Sequence, residues 1–221
     1  RPFFNDVGDW TLTLPAEHPM VPALRVPGSG IVVTAREAVY SGPTQSFTRK
    51  TTSSDPVGEF VFTGLLDDKI LRERVALPAV HTGDPGGGTP DALPPFLRSH
   101  DVRRGPCETV MHGYVNYNIG PGAASAGRRH AALDLGPDLG RGKFITKSAR
   151  FDTLSELLAD IAAIGGLGFR VYQVGNRLEF NTYATANKTA TVRLDVDNGT
   201  LASDEVSLQA PTATHVIVAG Q

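Results

Sequence analysis

Hydrophobic and polar residues alternate most cleanly near the start of the chain, where Trp10, Leu12 and Leu14 point one way and Thr11 and Thr13 the other. A period of two puts alternate side chains on opposite faces, so the run predicts a half-buried strand that Pro15 stops. Just upstream, Phe3-Phe4 and the turn-forming Asn5-Asp6-Val7-Gly8 predict a hairpin into that strand. Ile31-Val32-Val33, following Pro27-Gly28-Ser29-Gly30, predicts a second strand. Residues 47–51 and 59–63 predict two more, with Phe60 and Phe62 on one face. Short strands punctuated by Gly and Pro point to a small sheet or barrel.

A short helix is predicted over residues 65–74, with Leu66, Ile70 and Leu71 on one side. From residue 78 to about 105 the periodicity disappears, and Gly86-Gly87-Gly88 and Pro94-Pro95 mark a flexible connection. Beyond it, Pro106 suits the first turn of a helix over 106–119, because a missing N–H costs nothing there. Val110, Met111, Tyr114 and Val115 keep helical spacing, and Gly120-Pro121 ends it.

The strongest helix is predicted over 153–164, with Thr153 and Glu156 spaced as a capping box. Leu154, Leu157, Leu158, Ile161 and Ile164 form its apolar face, and Gly165-Gly166 closes it. That face needs a sheet, which a hairpin over 169–183 supplies. Phe169 to Val174 alternate, Gly175-Asn176 make a two-residue turn, and Arg177 to Phe180 return. Further strands are expected at 191–196 and 214–219, around a turn at Asn198-Gly199 and a run at 205–208.

The expected fold class is therefore a β-rich α+β protein. It would hold a β-barrel-like part over 1–77, a connection over 78–105, an α+β lobe over 106–185 and a β segment over 186–221. Composition fits: 221 residues, 40% hydrophobic and 20% charged, suffice for a sizeable core. The formal net charge of −2 provides no field of one sign for nucleic acid, and Arg103-Arg104 and Arg128-Arg129 read as solvated loop charges. One cysteine, Cys107, rules out an internal disulfide framework. No apolar run approaches the ~20 residues that span a bilayer.

Candidate chemistry is weak throughout. Gly28-Ser29-Gly30 precedes a strand, whereas a dinucleotide fingerprint follows one and opens a helix, so it reads as a turn. Glycines between 83 and 88 lack the Gly-Lys-Ser/Thr that holds a phosphate, and Gly142-Lys143 is followed by Phe144. Cys107 and His112 are five apart on a helix and point in different directions, so packing is the reading for the thiol. His81, Asp84, His100 and Asp101 could be drawn into a composite metal site, but solvated polar groups are the plainer reading. Asp67-Asp68 are expected to decorate the first turn of the short helix. Asn187-Lys188-Thr189 and Asn198-Gly199-Thr200 match the glycosylation pattern and are read as turns. No catalytic, cofactor-binding or metal-binding residue is assigned, and no enzyme activity is expected.

The run Phe4-Asn5-Asp6-Val7-Gly8-Asp9-Trp10-Thr11-Leu12-Thr13-Leu14-Pro15 resembles the opening hairpin of tail-tip (baseplate) hub proteins from long-tailed phages of actinobacteria. The resemblance continues at Phe62-Thr63-Gly64-Leu65-Leu66-Asp67-Asp68, and at Glu108-Thr109-Val110. It extends to Ala149-Arg150-Phe151-Asp152 and to Ala210-Pro211-Thr212-Ala213-Thr214-His215-Val216. It implies tube-like β domains with an inserted α+β lobe, in a virion structural protein without cofactor. It also implies a homotrimer that docks below the distal tail protein ring, closes the tube around the tape-measure protein and links that ring to host-facing parts, with receptor-binding proteins as further candidate partners. No membrane or sequence-specific nucleic-acid partner is expected. Two alternatives remain open: a carbohydrate- or receptor-binding β module of the virion, and a cell-wall or polysaccharide hydrolase with dispersed carboxylates.

Overall fold

The computed structural model describes residues 3–35, 38–54, 56–78, 100–123, 126–188, 190–193, 195, 199 and 203. The chain divides into two compact units, residues 1–185 and 186–221. In the second, the amides of Thr191 and Val192 turn back to the carbonyl of Lys188, so the strand expected from residue 191 begins instead as a turn. The strand expected over 214–219 and the run at 205–208 lie outside the described residues.

The first unit contains two lobes. In the N-terminal lobe, β1 (Asp9–Pro15), β2 (Gly30–Ala35), β3 (Ala38–Lys50) and β4 (Glu59–Leu65) form an antiparallel sheet in the order β1-β4-β3-β2. Strand β3 pairs with β2 through Pro43 and with β4 from Thr44 onward, and its register shifts between Thr44 and Ser46. That change of partner curls the sheet, because a bulge bends its strand and increases the local twist. The short helix α1 (Val21–Leu24) covers the concave face, burying Val21 and Leu24 with Trp10, Phe60, Phe62 and Leu66. The hairpin expected before β1 is instead one local bridge between Phe3 and Asp6, and Phe3 and Phe4 are exposed.

In the helical lobe, α3 (Cys107–Asn118) packs against α4 (Leu154–Gly165). Around them lie the ribbon β5 (Asp101–Pro106) with β7 (Phe144–Ala149) and the sheet β6 (Leu133–Leu135), β9 (Arg177–Ala184), β8 (Leu167–Val174). Strand β6 runs parallel to β9, and β8–β9 is the expected hairpin, turning at Gly175-Asn176. Leu154, Leu157, Leu158 and Ile161 of α4 are buried as the spacing predicts, whereas Ile164 is exposed. Gly166 ends α4 in the left-handed region at φ 62°, which glycine adopts without steric penalty. The capping box does not form, since the Thr153 side chain makes no cap hydrogen bond.

Three other expectations change. The helix α2 spans only Lys69–Arg72, because β4 continues to Leu65 and a turn follows. Residues 101–105, placed in the flexible connection, and Pro106, placed in the first turn of the following helix, form a strand paired along its length with β7, and α3 begins one residue later at Cys107. Its Arg103 is no solvated loop charge: the guanidinium pairs with Asp101 at 2.8 Å and lies over the Tyr114 and Tyr117 rings. Arg128 likewise lies over Tyr117 and donates to Asn118. Among the described residues no helix is long and apolar enough to cross a membrane. The β-rich α+β class holds.

Candidate functional site

Strand β8 lies at the margin of its sheet, so among the described residues its second edge has no strand neighbour in that sheet. Backbone N–H groups along a strand point alternately to either side, and a buried one left unpaired is costly. The alternate amides of Phe169, Val171 and Gln173 are each met by a side chain from the N-terminal lobe. Phe169 donates to Asn5 Oδ1 at 3.0 Å, Val171 to Asp68 Oδ1 at 2.6 Å and Gln173 to Ser41 Oγ at 2.7 Å. Asn5 Nδ2 also donates to the Leu167 carbonyl at 3.2 Å.

These caps come from separate places in the sequence. Asn5 sits at φ 54°, a left-handed conformation that asparagine tolerates, in the local bridge before β1. Ser41 lies within β3 and is almost fully buried; its hydroxyl donates to Asp67 Oδ2 at 2.5 Å. Asp67 and Asp68 follow β4. Asp68 is the N-cap residue of α2 without a side-chain cap hydrogen bond, so neither aspartate lies in the helix's first turn as expected, and Asp68 faces the seam between the lobes.

Burial governs the acidity of both carboxyls. It pushes Asp68 up to about 7, with the Asp67 charge adding to the rise and the Val171 N–H and Arg170 opposing it. Burial also raises Asp67, against the Ser41 hydrogen bond, His130 and Lys69. Among the described residues Asp68 forms no ion pair. Arg170, its nearest basic neighbour on β8, instead lies over the Tyr172 ring at 4.8 Å and the Tyr183 ring at 5.9 Å. Tyr183 rests on Gly168, where a Cβ would come within 2.2 Å of the ring. A cavity of about 100 Å³ opens beside Asp68, lined by Tyr40, Ser41, Arg170 and Tyr183 among others.

A wider cleft of about 420 Å³ has Ser29, Asp67, Lys69, His130 and Gln173 in its walls. The Gly28-Ser29-Gly30 run borders it as a turn, with Gly28 at φ 82° and Ser29 Oγ donating to the Leu24 carbonyl. Lys143 and Phe144 lead into β7 and hold no phosphate loop.

The expected thiol reading survives. Cys107 packs against Gly142, Gly165 and Leu167, and burial raises its thiol away from the reactive thiolate. His112 lies edge-on to Phe180 with ring centroids 5.2 Å apart, and its Nε2 is 3.4 Å from Thr182 Oγ1. A second polar centre here had no sequence signature. Glu108 is fully buried on α3 and receives Arg141 Nη2 at 2.7 Å, Arg141 Nε at 2.9 Å and Thr182 Oγ1 at 2.5 Å. Burial alone would raise its carboxyl, but these donors and the Arg141 amide outweigh it and hold it at about 2. The arrangement ties α3 to β9 and to the chain leading into β7. Among the described residues no three His, Cys, Asp or Glu side chains gather as metal ligands. His81 and Asp84 of the proposed composite lie outside the described residues, and Asp101 is buried in its pair with Arg103.

A family described as Siphovirus ReqiPepy6 Gp37-like protein matches the chain over residues 1–221. The chain belongs to that family. No curated protein matches it. Family membership supports a phage structural, tail-related protein, as the resemblance implied, and the lobes and seam described above are those of this Gp37-like chain.

Proposed function

We propose that this Gp37-like chain is a structural component of the phage tail tip, a hub that closes the tail tube and links the distal tail ring to host-facing parts. The observation carrying this reading is the curled N-terminal sheet, whose marginal strands β1 and β2 each leave one edge without a strand partner among the described residues. Val32 and Val33 on β2 and Phe47 on β3 are exposed beside them. Open edges with apolar neighbours favour pairing with other chains, which is how a ring gains continuity. In this reading the protein is no enzyme and has no cofactor. It forms a homotrimer, with the distal tail protein above and the tape-measure protein at its centre.

Gold-labelled antibody against the chain, imaged on intact virions, tests the location. Label at the tail tip supports the hub, and label on the capsid or along the tube sinks it. Sedimentation of the purified chain should show a trimer, or a trimer on addition of the distal tail protein.

A second reading, a carbohydrate- or receptor-binding module, is favoured by one feature. Tyr172, Arg170, Asn181 and Tyr183 line an open groove of about 370 Å³ on the β8–β9 face. Binding of cell-wall polysaccharide that is lost on Tyr183→Ala would support it.

A further inference from the structure

We propose that the seam between the two lobes is a proton-controlled latch, closed while Asp68 is protonated and released when it ionises. The latch goes beyond the tail-tip reading and does not depend on it. Its geometry is the triple cap on β8: Asn5, Asp68 and Ser41 take the amides of Phe169, Val171 and Gln173, and among the described residues no backbone ladder reinforces them.

Asp68 is the central cap and the only one of these that titrates. The charged and titratable groups around it come from every packed element: Asp67 beside it, Arg170 on β8, and Tyr183 on β9. Lys69 and His130 act on Asp67, and Tyr40 of β3 acts on Tyr183. None of the basic groups forms an ion pair with Asp68. A neutral carboxyl still accepts from Val171 through its carbonyl oxygen, so protonation keeps the cap without burying a charge. Ionisation places in the partly buried seam a charge that the Val171 N–H and Arg170 only partly offset, and separating the lobes hydrates it.

The carboxyl shifts from an ordinary 3.8 to about 7 when the seam is closed. Proton linkage then makes the open state gain about tenfold for each pH unit between those values, levelling above them. Amide hydrogen exchange reads that opening directly.

The experiment is NMR-detected exchange on the full chain from pH 5 to 8, corrected for intrinsic rates. Protection of the Phe169, Val171 and Gln173 amides should fall about tenfold per pH unit up to pH 7. Arg170 and Tyr172, whose amides face β9, should keep their protection. Asp68→Asn keeps an acceptor for Val171 without the charge and should flatten the dependence. Ser41→Ala should lower protection of Gln173 at every pH and leave the slope unchanged. Protection in the wild-type chain that stays constant with pH, or rises because Arg170 swings in to pair with Asp68, overturns the latch. A slope retained in the Asp68→Asn protein does the same. Should that variant fail to fold, the Asp68 carboxyl titration in the wild-type chain decides: a midpoint coinciding with the levelling of protection supports the latch, and one near 4 overturns it.

Discussion

The side-chain amide of Asn5 faces the backbone of Phe169 as a peptide group of a neighbouring strand would. It accepts from the Phe169 N–H at 3.0 Å and donates to the Leu167 carbonyl at 3.2 Å. Asn5→Asp keeps the first bond and sets a carboxylate oxygen against the carbonyl in place of the second. We expect a loss of about 2 kcal/mol in urea unfolding, larger than for an exposed polar substitution, because a buried acceptor is left unsatisfied. Asn5→Gln, whose longer arm does not fit the same geometry, should not restore it.

The two ends of the pH scale act on different residues. Glu108 has its folded value lowered to about 2, so its contribution is complete above its ordinary 4.5 and disappears as pH falls toward 2. Removing its charge leaves the Arg141 guanidinium with its Thr182 acceptors but without its carboxylate partner. Glu108→Gln should therefore cost about 3 kcal/mol at pH 7, measured by denaturant unfolding, and should weaken the acid dependence below pH 4.5.

Asp68 carries the opposite sign. Its folded value is raised, so the folded chain holds the proton more tightly than the unfolded one between 3.8 and about 7. Its contribution is greatest below that window and falls as pH rises through it. Asp68→Asn should raise global stability at pH 8 by on the order of 2 kcal/mol. At pH 4 the two proteins should unfold at nearly the same urea concentration.

Gly64 makes the N-terminal core sensitive to a single methyl group. A Cβ there would stand 2.2 Å from the Pro43 carbonyl oxygen and 2.5 Å from the Trp10 ring. One of those neighbours is backbone and cannot rotate aside. Gly64→Ala should cost about 3 kcal/mol and lower the thermal midpoint, with Trp10 fluorescence reporting the displaced ring.

What the sequence made legible follows from where apolar side chains fall. The β8–β9 hairpin and α4 stand out because inward positions are Phe169, Val171, Phe180, Leu154, Leu157, Leu158 and Ile161. Strand β5 does not, because its inward positions are Asp101, Arg103 and Gly105, and the contact is made by an arginine on two tyrosines. Its partner β7 turns Lys147 inward between Ile145 and Ala149, which also breaks the alternation. The seam was illegible for a further reason. Asn5, Ser41 and Asp68 each satisfy a backbone amide, and an amide leaves no mark on the sequence of the strand that carries it. The buried pair of Glu108 with Arg141 is hidden similarly, since both residues look like ordinary surface charges.

Because β8 is finished by three loosely related side chains and not by another strand, the helical lobe is not an independent part that can be cut away cleanly. Expressed alone, it would present a bare row of donors to every copy of itself, and fibres or precipitates would be the foreseeable product. A soluble excised form would need a lysine or a proline written into that row.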